Sequence, residues 1–149
     1  MTTLSKHTRA NLIPCLLYRD PEAAIEWLAR AFGFEAQQVV RDPQQGVVHA
    51  QLVFGSGMLM LGPVRDSDYG RQMVQPGDVG GRSTQSTYVV VNSADALYTQ
   101  AKAAGADIVI ELKNDDYGGR GFSCRDLEGH LWTFGTYDPW ATATAAEDA

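Results

Sequence analysis

With three histidines, two cysteines and no excess of positive charge, this chain of 149 residues is poorly equipped for several kinds of chemistry. Its formal net charge of −6, from 12 Lys and Arg against 18 Asp and Glu, leaves no electrostatic footprint for nucleic acid or an anionic membrane surface. No apolar run approaches the roughly 18 to 20 residues that span a bilayer. The opening MTTLSKHTRANLIP lacks the long apolar stretch of a signal peptide, so a cytoplasmic location is expected. Cys15 and Cys124 lie far apart and outside any C-x-x-C pattern. They read as buried, reduced thiols. Nucleophile elbows (G-x-S-x-G), P-loops and G-x-G-x-x-G turns after a strand are all missing.

The composition is that of a folded protein, with 44% hydrophobic and 20% charged residues. The length suits one domain over residues 1–149. Within it the sequence repeats itself. A shift of 72 residues places Asp20 on Asn92, Gly33 on Gly105 and Gly57 on Gly129, and aligns Ile25 with Leu97. In the first half, NLIPCLLY has strand length, and Asp20-Pro21 gives an N-cap with proline in the first turn. Ile25, Leu28 and Phe32 recur at helical spacing before the stop at Gly33. EAQQVV, VVHAQLVF and MLMLG follow as strands, divided by DPQQG and GSG turns. The second half runs in the same order. STYVVV is a strand, Asn92 with Asp95 resembles a capping box, and Leu97, Tyr98, Ala101 and Ala104 line one helix face. ADIVIEL, GRGFSCRD and HLWTFGTY are then strands. Each half reads βαβββ, an α+β arrangement. Module one covers about 11–62, a linker about 63–83, module two about 84–137, and a flexible tail about 141–149.

The segment IPCLLYRDPEAAIEWLARAFGF and the ending YGGRGFSCRDLEGHLWTFGTYDPW, with its acidic-x-acidic-Gly turn at Asp126–Gly129, carry a resemblance. Together with the repeat, they resemble the glyoxalase/bleomycin resistance protein/dioxygenase superfamily over about residues 11–138. The resemblance implies two tandem βαβββ modules whose curved mixed sheets surround a cleft, and it implies a homodimer. It also places metal-ligand positions early in each module's first strand and in each last strand. Counted from the helix caps and turn glycines, these fall on Ile13, Leu61, Gln85 and Thr133. Isoleucine and leucine cannot bind a metal, and one carboxamide with one hydroxyl is a poor divalent site. Neither a metal nor another cofactor is expected.

Strand alternation gives the candidate cleft residues. Along VVHAQLVF, Val48, Ala50 and Leu52 share one face, leaving His49, Gln51 and Val53 toward the cleft. Under the shift of 72 these match Gly121, Ser123 and Arg125. The same parity turns Cys15, Leu17, Leu59, Leu61, Gln85, Thr87, Leu131 and Thr133 toward the cleft. It puts Trp27, Tyr88, Trp132 and Phe134 between helix and sheet. His49 is either a hydrogen-bonded surface or dimer-interface residue or a catalytic base. His7 lies in the terminus, and His130 reads as a surface residue. Tyr69, Tyr117, Arg120 and Trp140 sit in loops or strand ends, where an aromatic or cationic group can close over a ligand, although Arg120 could equally pair with one of Asp115 or Asp116. Asp126 and Glu128 read as turn-shaping, solvated carboxylates.

The function expected is metal-independent binding of a small aromatic or apolar molecule, as in drug-sequestering relatives. The alternative is a metal-dependent lyase, isomerase or dioxygenase with non-standard ligands.

Overall fold

The computed structural model describes residues 4–141. The order of elements is β1 (Cys15–Tyr18), α1 (Pro21–Phe32), β2 (Glu35–Asp42), β3 (Gly46–Phe54) and β4 (Gly57–Pro63), then β5 (Thr87–Val90), α2 (Ala94–Ala103), β6 (Asp107–Asn114), β7 (Arg120–Arg125) and β8 (Leu131–Gly135). Two four-stranded mixed sheets result, ordered β1-β4-β3-β2 and β5-β8-β7-β6. In each, the first strand runs parallel to the last and the other pairings are antiparallel. No strand of one sheet pairs with a strand of the other, so the sheets do not close.

Local chemistry sets the helix boundaries. The Asp20 side chain accepts from the Ala23 amide, Pro21 occupies the first turn, and Gly33 (φ 88°) ends α1 in the left-handed conformation. In α2 the cap is Ser93, whose hydroxyl accepts from the Ala96 amide at 3.1 Å. The cap expected at Asn92 therefore sits one residue later. That displacement matters, because the caps are 73 residues apart (93 − 20 = 73), not 72.

The same extra residue appears in β4 and β8. Leu59 and Leu61 face the core in module one, and Trp132 and Phe134 do so in module two, again 73 apart (132 − 59 = 73). In β3 and β7, core-facing Ala50 and Leu52 match Phe122 and Cys124 at 72 (122 − 50 = 72). Two length changes account for this. From cap to helix-ending glycine, α2 is one residue shorter than α1. The last hairpin regains that residue: Asp126 bonds to the His130 carbonyl across three residues, where Phe54 pairs with Gly57 across two.

Both helices pack on the same side of their sheets and against each other, giving one continuous core. Trp27 donates its indole N–H to the Ala104 carbonyl at 2.8 Å, and the Phe32 ring lies 4.6 Å from Phe134 and 5.3 Å from Trp132. Each such aromatic contributes about 1.5–3 kcal/mol through burial alone. Trp27, Trp132 and Phe134 thus occupy the expected core, whereas Tyr88 is 37% exposed on the opposite face. Segment 63–83 carries two short 3-10 turns, at Gly70–Gln72 and Pro76–Val79, with Gln75 and Pro76 buried. Most of the tail expected to be flexible, from residue 142 on, lies outside the described residues.

Candidate functional site

Each sheet has a helix face, buried in the core, and an open face. On module one, β4 alternates Leu59 and Leu61 into the core with Met60 on the open face, beside Gln51 of β3 and Cys15 of β1. This corrects the expectation that Leu59 and Leu61 face a cleft: the one-residue register change reverses which side chains of β4 point outward. A bulge between Val40 and Arg41 of β2 adds a second departure, since Val47 becomes the buried residue in β3 while Val48 is only half-buried.

Over this open face the chain leaving β4 folds back, and a cavity of about 340 Å³ lies beneath it. Its floor is apolar, from Leu17, Met60 and the edge of Pro63, and its polar groups are Cys15, His49, Arg65, Ser67 and Tyr69. This volume lies at the lower end of the range for small-molecule sites, about 300–1,000 Å³. The His49 Nε2 sits 2.9 Å from Gln51 Oε1, and Gln51 Nε2 donates to Gln37 Oε1 at 2.7 Å, so the imidazole is oriented by a chain of amides. Partial desolvation raises the Tyr69 phenol above its ordinary pKa, and contact with the Cys15 thiol adds to that shift. Cys15 is exposed rather than buried as expected, while Cys124 is fully buried.

The remaining predicted residues do not converge on this cavity. Gln85 and Thr87 line a separate hollow of about 540 Å³ between the segment entering β1 and strands β5 and β8. On the open face of module two, Ser123 and Thr133 share a hydrogen bond of 2.7 Å. Beside them Tyr88 donates to the Tyr137 carbonyl at 2.7 Å, and the Tyr137 ring meets Tyr117 edge-on at 5.0 Å. Arg120 pairs with Asp95 of α2 at 2.6 Å, so it lies over the helix and not in a cleft, and neither Asp115 nor Asp116 is its partner. Arg125 holds the linker through the Gly81 carbonyl and pairs with Asp107.

A buried seam joins the modules. Asp126 is 6% exposed, not solvated. Its Oδ2 accepts from the Tyr18 hydroxyl at 2.6 Å and the Trp132 indole at 3.0 Å, while Oδ1 accepts from the amides of Glu128 and His130. Burial first, and then Asp126, push the Tyr18 phenol well above its ordinary pKa. Glu128 accepts from the amides of Arg19 and Asp20, at the start of α1. His130, expected at the surface, is half-buried with Nε2 2.8 Å from the Leu17 carbonyl.

Met60 and Arg65 are among the cavity residues that escaped the sequence reading. Met60 was hidden by the register change. Arg65 belongs to the linker, and its signal was the run Arg65-Asp66-Ser67-Asp68-Tyr69-Gly70-Arg71, two cations and two anions on one short turn.

The family model for the glyoxalase/bleomycin resistance protein/dioxygenase superfamily matches residues 7–134. The chain belongs to that superfamily. The superfamily resemblance extends to TioX from Micromonospora sp. ML1, which is 35% identical with a TM-score of 0.64, over 85% of this chain and 94% of that one. The fosfomycin resistance protein FosX from Listeria monocytogenes shares the fold at 13% identity and a TM-score of 0.64, over 88% and 95% of the two chains. An uncharacterized protein of Mycobacterium tuberculosis is 27% identical over 133 residues, 89% of this chain and 78% of that protein. Metal-dependent members of the superfamily need ligands on the open faces, and the residues here do not fit. The outward counterpart of Thr133 is Met60 (133 − 60 = 73), and among the described residues no three His, Cys, Asp or Glu side chains cluster as a metal site.

Proposed function

We propose that this protein is a metal-independent binder that sequesters a small aromatic or apolar molecule on the open face of module one. The observation that carries this reading is the hollow between the open face and the linker turn, open to solvent on one side: an apolar floor with a few convergent polar groups, the usual composition of a small-molecule pocket. Superfamily membership supports it, since the open faces of βαβββ sheets are where the fold leaves room for ligands. Tyr69 and the linker supply the cover, an apt placement for a loop aromatic.

A homodimer forms part of the proposal. Edge strands β5 and β6 present exposed Tyr88, Val90, Val109 and Ile110, and an unpaired edge with apolar side chains is a template for pairing with another chain. Light scattering on the purified protein checks this, with a dimer expected and a monomer at high concentration opposing it.

The binding reading is tested by titrating the metal-free protein with fused-ring aromatic probes and following Tyr and Trp fluorescence. Saturable binding that Met60→Trp weakens at least tenfold, by filling the cavity floor, is the expected result. Absence of saturable binding, or binding indifferent to M60W, sinks the reading.

A further inference from the structure

We propose that the ligand of the module-one cavity carries an acidic group, a carboxylate or a comparable oxyanion, which Arg65 receives; this rests on the binding reading above. The argument starts from the charges of the linker turn. Arg71 takes both nearby carboxylates, Asp66 at 2.7 Å and Asp68 at 2.7 Å. Arg65, on the same turn, makes no ion pair and no side-chain hydrogen bond among the described residues. It is the one arginine or lysine that lines the cavity, and no Asp or Glu lines it. In a chain of net charge −6, a pocket wall free of carboxylates with an unopposed guanidinium is a local reversal of sign.

The turn that presents Arg65 is tightly built. The Ser67 amide donates to the Arg65 carbonyl at 3.1 Å, the Gly70 amide to Ser67 Oγ at 3.0 Å, and the Arg71 amide to the Ser67 carbonyl at 2.9 Å. A Cβ on residue 70 would fall 2.0 Å from the Arg65 carbonyl oxygen, so glycine is required for the fold-back. Asp66 and Asp68 are turned outward onto Arg71, with side chains 85% and 102% exposed. The same arrangement that silences the two aspartates leaves Arg65 available. A planar, permanently charged fork suits an oxyanion, and the neighbouring phenol of Tyr69 offers a further donor. The apolar floor then accepts the uncharged body of the ligand. The chemical class assigned is therefore an amphiphilic acid, one apolar ring system with one anionic head.

The experiment compares a matched pair of probes, 2-naphthoate and its neutral isostere 2-naphthamide, by calorimetry at pH 7.5 with the wild type and Arg65→Gln. The acid is expected to bind the wild type about tenfold tighter than the amide, the difference one charge-assisted hydrogen bond supports. R65Q is expected to erase that preference with the melting temperature unchanged, and Arg65→Lys is expected to restore part of it. Equal affinity for acid and amide, or an acid preference that survives R65Q, overturns the assignment of an acidic ligand but leaves the cavity a binding site. Failure of both probes to bind, together with failure of the wider aromatic series, overturns the binding reading itself.

Discussion

The two modules share a skeleton and treat their open faces in opposite ways. Module one leaves a gap above Met60 beneath a charged turn, whereas on module two the polar groups of the open face bond to one another and to the following segment. There the Tyr88 ring lies against Gly135, where a Cβ would fall 2.6 Å from the phenol oxygen, and Ser123 and Thr133 satisfy each other. One copy of a duplicated unit can thus be spent on stability while the other keeps space for chemistry. The difference comes from a few side chains, because the strand order is the same in both sheets.

The strongest way to break this contrast is at the turn where module two differs in length. Asp126→Ala leaves the buried donors of Tyr18 and Trp132 without an acceptor, at about 1–3 kcal/mol each, so a loss of about 3–5 kcal/mol is expected in urea unfolding. A loss below about 1 kcal/mol would show that the seam is not a shared structural support. Next in size, Gly135→Ala forces Tyr88 off the sheet and is expected to cost about 1–3 kcal/mol by overpacking. The matching change in module one, Gly62→Ala, meets only ordinary contact with the Val48 carbonyl at 3.4 Å and should cost less. Similar losses at the two glycines would remove the asymmetry.

Smaller effects sharpen the contrast. Met60→Trp should lower the affinity for an aromatic probe at least tenfold, about 1.4 kcal/mol, with little change in melting temperature. The cysteines report the two environments directly. Burial pushes the Cys124 thiol up to about 12, with Asp126 and Asp107 adding to it. The unfolded chain therefore gives up this proton first, at about pH 8.5. Any stability tied to the neutral thiol is fully present below that pH and is lost as pH rises toward 12. Cys124→Ala should flatten the fall in urea midpoint between pH 8 and pH 10; an unchanged slope would assign it to other groups. A thiol reagent added to the native protein should modify Cys15 alone, with Cys124 reacting only on unfolding.

The order of elements was legible because each signal is local: a cap, a proline in the first turn, a left-handed glycine and a run of alternating residues. The site was less legible. A constant shift of 72 is right for β2, β3, β6 and β7 and wrong by one for the first and last strands. With a side-chain period of two, that single residue exchanged Leu61 for Met60 and put Tyr88 on the wrong face. Loop-length changes within a repeat leave no mark in composition, and only pairing reveals them. The cavity roof was half-legible. Tyr69 stood out as a loop aromatic, but the availability of Arg65 depends on which guanidinium the two aspartates choose, a matter of turn geometry.

The seam at Asp126 and Glu128 also bears on how the protein is made. Tyr18, buried in module one, finds its acceptor 108 residues later, and the amides of Arg19 and Asp20 just before α1 find theirs on Glu128. During synthesis the first module leaves the ribosome complete in its hydrogen-bonded strands yet with its tyrosine unsatisfied and the Phe32 side of α1 uncovered. The duplicated unit is therefore not an autonomous half: the earlier copy waits for the last hairpin of the later one, and a chain cut before residue 126 would lose β8 together with the acceptors that the first module needs.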